Sequence, residues 1–142
     1  MIRRATMDDH ERLAELGQRF LESDYAGRTK VDPARLYDSV GSIIANESGA
    51  VFVSGSDATL TGMIALLAYD HPFSGERTAF EVVWYVEPEA RGDGVRLLRA
   101  AEDWARREGI TKMQMVAPNQ RVGDFYTRMG YEFVESSFQR SL

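Results

Sequence analysis

The sequence predicts an α/β domain with a mixed, mostly antiparallel central sheet flanked by about four helices. Three observations predict it. Two apolar stripes at helical spacing, each preceded by a capping side chain, stand ahead of a strand hairpin. A β-branched and aromatic run, Phe80 to Val86, follows that hairpin. Finally, a strand, a glycine pair and a helix succeed one another after Val86, which embeds a β-α-β unit.

In chain order, Ile2 to Ala5 reads as a short strand. Thr6-Met-Asp-Asp9 fits a capping-box variant, because the hydroxyl and the acid three residues on can satisfy orphan N–H groups. Leu13, Leu16 and Phe20 then recur at helical spacing. Asp32-Pro33 opens a second helix with an acid at the N-cap and proline at the first helical position. Its stripe is Leu36, Tyr37, Val40, Ile43 and Ile44. Val51 to Val53, the turn Ser54-Gly-Ser-Asp57 and Leu60 to Tyr69 predict an antiparallel hairpin. Phe80 to Val86 belongs centrally in the sheet, and Pro88 closes it. Leu97, Leu98, Ala101, Trp104 and Ala105 define a third helix stopped by Gly109. Lys112 to Ala117 is another strand. Asn119 can cap a last helix carrying Val122, Phe125, Tyr126 and Met129, which Gly130 ends. From Tyr131 onward the chain is expected to be extended again, giving the order β-α-α-β-β-β-α-β-α-β.

The 142 residues suit one domain, 1–142, and 44% of them are apolar, enough for an ordinary core. No apolar run approaches the roughly 18 residues that would span a bilayer, so no membrane partner is expected. Early acids at Asp8 and Asp9 and the lack of an apolar stretch argue against a signal peptide, and a cytoplasmic location is expected. Cysteine is absent, which excludes disulfides, thiolate metal sites and a cysteine nucleophile. Residues 1–90 hold 8 basic and 15 acidic side chains, a net of −7, whereas residues 91–142 hold 9 and 7, a net of +2. The acidic total argues against nucleic acid. The basic C-terminal part suits a compact anion, and the acidic part a cation.

The stretch that carries chemistry is Trp84-Tyr-Val-Glu-Pro-Glu-Ala-Arg-Gly-Asp-Gly-Val-Arg-Leu-Leu98. A strand ends, a glycine pair follows and a helix begins, which leaves backbone N–H groups at a positive helix end where phosphate binds well. Alone, Gly92-x-Gly94 reads equally as a tight turn with no ligand. A dinucleotide fingerprint needs a third glycine and an acid after the next strand, and the strand Met113-Gln-Met-Val has none. The Gly-Lys-Ser/Thr of a P-loop does not occur.

The wider pattern is more specific. Val86-x-Pro88-x-x-Arg91-Gly-x-Gly94, then a helix, a strand and Asn119-x-x-Val122-x-x-Phe125-Tyr126-x-x-x-Gly130-Tyr131, resembles the GCN5-related N-acetyltransferase (GNAT) family. The opening Ile2-Arg-x-Ala5-Thr-x-x-Asp9 is similar too. The resemblance implies acetyl-CoA as co-substrate and transfer of its acetyl group to a primary amine, on a small molecule or a protein, by direct attack in a ternary complex. By the same resemblance, main-chain groups of Trp84, Tyr85 and Val86 pair with the pantetheine arm. Amides of Arg91, Gly92, Asp93, Gly94, Val95 and Arg96 hold the pyrophosphate, Asn119 and Phe125 border the cofactor, and Tyr126 stands beside the thioester sulfur. The resemblance also leaves room for a homodimer. One departure is clear: where the family loop carries Gly or Ala at its last position, this chain has Arg96.

Acetyl transfer to an amine needs deprotonation of the ammonium, stabilisation of the oxyanion and a proton for the thiolate. Tyr126 is the candidate acid, although Phe125 and Tyr126 also read as core aromatics. Glu81 is the candidate base. It interrupts an apolar strand, and alternation places it on the face of Val83 and Tyr85. By the same resemblance the segment joining the first two helices borders the acceptor, which makes Asp24 and Tyr25 candidate acceptor contacts; His71, in the loop before the glutamate strand, is another candidate. His10 and His71 pair with no other ligand at metal spacing, so no metal is expected. The rival reading is a non-catalytic CoA-binding or partner-binding module on the same fold.

Overall fold

Helices begin where short polar side chains can cap them. The computed structural model describes residues 1–142. β1 (Ile2–Arg4) leads through a 3-10 turn at Met7–Asp9 into α1 (His10–Asp24). The Thr6 amide donates to Asp9 Oδ2 at 2.9 Å, and the Arg3 guanidinium grips the same carboxylate at 2.8 and 2.9 Å. α2 (Pro33–Ala45) starts on Asp32, whose Oδ1 accepts the Ala34 and Arg35 amides at 3.1 and 3.2 Å.

β2 (Gly49–Gly55) and β3 (Leu60–Asp70) form the expected antiparallel hairpin, and β4 (Arg77–Val86) pairs antiparallel with β3. α3 (Gly94–Arg107) carries the chain over to β5 (Lys112–Gln114), which lies parallel to β4; α4 (Gln120–Arg128) follows. Strand order in the sheet is β1-β2-β3-β4-β5, mostly antiparallel with one β-α-β unit. Gly109 and Gly130 close α3 and α4 at φ of 72° and 93°, a conformation that favours glycine.

Both faces of the sheet are covered, so its inner strands are apolar almost throughout. On one face Leu97, Leu98, Ala101 and Trp104 of α3 pack on Phe52, Ile64 and Leu66. On the other, Leu13, Leu16 and Phe20 of α1 pack on Val51, Val53 and Met63. The end of β4 is tied to α1 by charge. Glu87, only 5% exposed, accepts the Tyr85 hydroxyl at 3.1 Å, lies 3.5 Å from Arg12 and pairs closely with Arg19.

Three expectations are corrected. Strand pairing at Lys112–Ala117 stops at Gln114, because β5 swings away from β4 and the Val116 amide meets a side chain instead. No final strand forms after Tyr131. The Tyr131 amide donates to Tyr126 O, but residues 132–142 make no backbone hydrogen bond, and Phe133 and Phe138 stand exposed. Adjacent Phe133 and Val134, then Glu135-Ser-Ser137, give that segment no single apolar face to lay on the sheet. Third, Glu81 does not share the face of Val83 and Tyr85. Ala65 pairs with Val83 and Leu66 with Glu81, so Val82 is an extra residue that resets the alternation. Ala79, Trp84 and Val86 pack toward α3, whereas Val82, Val83 and Tyr85 pack toward α1.

Glu87 is the one buried acid in contact with two arginines, so its replacement tests the tie between α1 and β4. Glu87→Gln is expected to lower unfolding free energy by about 1–3 kcal/mol. Urea denaturation measures this, and an unchanged midpoint would show that the tie adds nothing.

Candidate active site

The site begins where the sheet splits. β4 and β5 pair only at Thr78–Phe80 with Lys112–Gln114, and past that point the outer edge of β4 has no strand partner. Glu81 fills the angle. Its Oε2 accepts the Val116 amide at 3.2 Å and the Tyr126 hydroxyl at 3.0 Å. Tyr126 comes from α4 and is 6% exposed. Burial pushes the Glu81 carboxyl up to about 7; the two hydrogen bonds pull it down, and the charge of Asp24 adds to the rise. The Tyr126 phenol is driven well above its ordinary value by burial and then by the neighbouring Glu81 charge. The pair therefore keeps its phenolic proton, while the carboxyl changes charge near neutrality.

Beside this pair opens a cleft of about 240 Å³. Trp84, Tyr85 and Val86 form one wall; Arg91 of the turn after β4 and Gly94 and Val95 at the start of α3 form another. Arg121, Val122, Phe125 and Arg128 line it from α4, and Asp24 from the end of α1. The Trp84 ring packs against Phe125 and Tyr126 with centroids 5.5 and 5.7 Å away. Gly94 allows that placement, since a Cβ there would fall 3.3 Å from Trp84 Cζ2. Arg91, Arg121 and Arg128 pair with no carboxylate, unlike Arg96 and Arg106 nearby.

The glycine-pair segment is a 3-10 turn, Pro88–Asp93, rather than an open loop. It engages the Ala90 amide with Glu87 O and the Gly94 amide with Arg91 O. The amides of Val95 and Arg96 lie in the first turn of α3, where no i−4 carbonyl exists within the helix.

Of the residues singled out in the sequence, Trp84, Tyr85, Val86, Arg91, Gly94, Val95, Phe125 and Asp24 line the cleft. Glu81 and Tyr126 meet in a hydrogen bond. Tyr25 is half-buried against Phe20, and its phenol is raised by burial and by Glu81. Others are not brought in. Asp93 and Arg96 pair with each other at 3.3 Å, and a side chain at Gly92 would point into open space. The side chain of Asn119 caps α4 by accepting the Val122 amide at 3.0 Å. His71 Nδ1 accepts the Phe73 amide at 3.2 Å inside the β3–β4 turn, at the far end of β4 from the cleft. Arg121 and Arg128 escaped the sequence reading, and Val122 was read only as part of the apolar stripe and motif of the last helix. Their signal was present: they share a helical face with Phe125 at spacings of four, three and three, in the basic part of the chain.

No three His, Asp or Glu side chains gather as a metal site, and no helix is long and apolar enough to cross a membrane. Residues 11–131 match the acetyltransferase (GNAT) family. That match spans most of the chain, which belongs to the GNAT family. A predicted acetyltransferase from Clostridium acetobutylicum, solved with acetyl-CoA, superposes with a TM-score of 0.83 at 20% identity over 99% of this chain and 95% of that one. A ribosomal-protein-alanine N-acetyltransferase from Brucella melitensis gives 0.74 at 16% identity over 100% and 99%. An aminoglycoside acetyltransferase from an uncultured soil metagenomic sample, in complex with sisomicin, gives 0.75 at 17% identity over 100% and 95%. At these identities the likeness is one of fold. No curated protein sequence matches the chain.

Because burial lifts the folded Glu81 carboxyl from 4.5 to about 7, the folded state binds a proton more tightly than the unfolded chain. That contribution is complete below about pH 4.5 and is lost as the pH rises to about 7. Wild-type stability is thus expected to fall relative to Glu81→Gln across this window and to run parallel above it. Thermal unfolding of both proteins in a pH series measures the difference; parallel curves throughout would show an ordinary, solvated carboxylate.

Proposed function

We propose that the protein is an N-acetyltransferase that moves an acetyl group from acetyl-CoA to a primary amine by direct attack in a ternary complex. One observation carries this reading. A hydrogen-bonded carboxyl and phenol, Glu81 and Tyr126, stand where the sheet splits, beside a cleft walled by the unpaired half of β4.

The residues present suit acetyl-CoA. The free edge of β4 at Trp84–Val86 can pair with a peptide-like pantetheine arm as an added strand would. Three unpaired arginines face the same cleft, which suits phosphate. When bound, acetyl-CoA supplies an acyl thioester.

The protein's own residues then move protons. An ammonium must lose one proton before it attacks and a second after the carbon–nitrogen bond forms, while one proton is needed at the departing sulfur. Glu81, titrating near neutrality, accepts a proton from the nitrogen. Tyr126 gives its own to the sulfur and regains one from Glu81 through their 3.0 Å hydrogen bond. Across the cycle one proton passes to water. The acceptor is a small-molecule or protein amine; similar folds include an aminoglycoside acetyltransferase solved with sisomicin and a ribosomal-protein-alanine N-acetyltransferase.

Free-thiol release with a panel of amines tests the reading. Tyr126→Phe is expected to cut kcat about 10²-fold or more while CoA affinity stays within a factor of about three. In Glu81→Gln the acidic limb of kcat/KM near pH 7 should disappear. CoA binding without turnover in the wild type would instead identify a non-catalytic module.

A further inference from the structure

Two walls of the cleft meet at one buried acid. Glu87 stands between β4 and the turn Pro88–Asp93. Its amide donates to Thr61 O at 2.8 Å and its carbonyl accepts the Ala90 amide at 2.9 Å, so its main chain joins β3 to the turn that brings Arg91 to the cleft. Its side chain joins the same place to α1. Oε1 pairs closely with Arg19 and lies 3.5 Å from Arg12, while Oε2 accepts the Tyr85 hydroxyl at 3.1 Å. Arg12 has other anchors, since it donates to Leu60 O at 3.0 and 2.9 Å and to Glu15 at 2.8 Å. Arg19 has no other ion partner. Asp24, which lines the cleft, follows Arg19 on α1 by about 7.5 Å along the axis.

Beyond Arg19, α1 makes no hydrogen bond or ion pair to the sheet. Phe20 is the one buried side chain of its last turn, with Leu21 and Tyr25 half-buried beside it. Apolar contact of that kind is non-directional and sets the helix end only loosely. The directional restraint on it is the Arg19–Glu87 pair. We propose that this pair is a positioning joint that couples the acceptor side of the cleft to its donor side: coenzyme A seated against the turn steadies the last turn of α1, and with it Asp24 and Tyr25, through Glu87 and Arg19. The inference rests on the acetyl-CoA reading above and deepens it by naming how one half of the site responds to the other. A turn quieted by a ligand also quiets Glu87, whose carbonyl opens that turn. The carboxylate cannot relax by itself, because a buried acid that leaves its arginines becomes an unpaired charge. The coupling needs no change of fold, only a loss of motion shared by two walls.

Amide hydrogen exchange with and without coenzyme A tests the joint in the wild type, Arg19→Gln, Arg19→Lys and Glu87→Gln. Arg19 is half-exposed, so its replacement leaves the core intact. In the wild type the coenzyme is expected to slow exchange about threefold or more at residues 88–96 and also at Leu21–Tyr25. In Arg19→Gln and Glu87→Gln the turn should keep its slowing while that of Leu21–Tyr25 falls to within about 1.5-fold of the free protein. Arg19→Lys, which keeps the charge, should restore most of it. A merely structural role would raise exchange equally with and without coenzyme A and leave the ratio between them unchanged. Slowing confined to the turn in the wild type, or equal slowing of α1 in the wild type and Arg19→Gln, would overturn the joint and leave the acetyltransferase reading standing. A wild type that calorimetry shows not to bind coenzyme A would remove both.

Discussion

Everything at the cleft depends on how one carboxylate is accommodated where two parallel strands separate. A glutamate on an inner strand carries a large desolvation penalty unless its oxygens are hydrogen-bonded. Glu81 meets that need with the Val116 amide and the Tyr126 hydroxyl, both on the same oxygen. The first of these bonds uses an amide that a longer β5 would have offered to β4. Satisfying the acid and ending the strand pairing are therefore one event. The consequence is an unpaired edge along β4 beyond Phe80, and its last part, Trp84 to Val86, is a wall of the cleft. The bulge at Val82 completes the arrangement, turning Glu81 toward α4 while Val83 and Tyr85 remain in the core beneath α1.

Charge divides the cleft in a consistent way. Its C-terminal walls, from the turn before α3 and from α4, bring Arg91, Arg121 and Arg128; its N-terminal wall brings Asp24 at the end of α1. The same division appears in the sequence as −7 over residues 1–90 and +2 over the remainder. An anionic acyl donor and a cationic acceptor would thus approach Glu81 from opposite sides, each toward complementary charge. The position of α1 matters for this, since it holds Asp24 and leads into Tyr25. Arg12 and Arg19 of α1 converge on Glu87 immediately after β4, which fixes the helix to the strand that carries the site.

Much of the fold was legible because it obeys local rules. Asp32 and Asn119 cap the helices that the sequence assigns them, Gly109 and Gly130 end theirs, and the hairpin of β2 and β3 forms around its turn. The site was legible in part. Tyr126 and Glu81 were found as individuals, and most of the β4 and α3 residues line the cleft. What failed had a common cause. Periodicity assumes an unbroken register, so the extra residue at Val82 put Glu81 on the wrong face, and the divergence of β5 made a strand to Ala117 look continuous. The arginines of α4 were missed because a charged helical face in sequence looks the same whether it meets solvent or a cleft.

The places where local rules break are themselves informative. Away from the cleft the two faces of the sheet are covered by apolar stripes of α1 and α3, as a well-specified sequence requires. At the cleft, four departures gather within one wall and its neighbours: a carboxylate inside a sheet, an indole N–H without an acceptor, a strand edge without a partner, and arginines without counter-charges. Each is unfavourable for the free chain. The open strand edge and the unpaired arginines would both be relieved by one elongated ligand carrying peptide-like amides at one end and phosphates at the other. Their coincidence is hard to produce by packing alone, because packing has no reason to set a buried carboxylate beside an unpaired strand edge and unpaired arginines. A stable scaffold keeps such costs only where binding returns them, and that locates the site independently of any sequence motif.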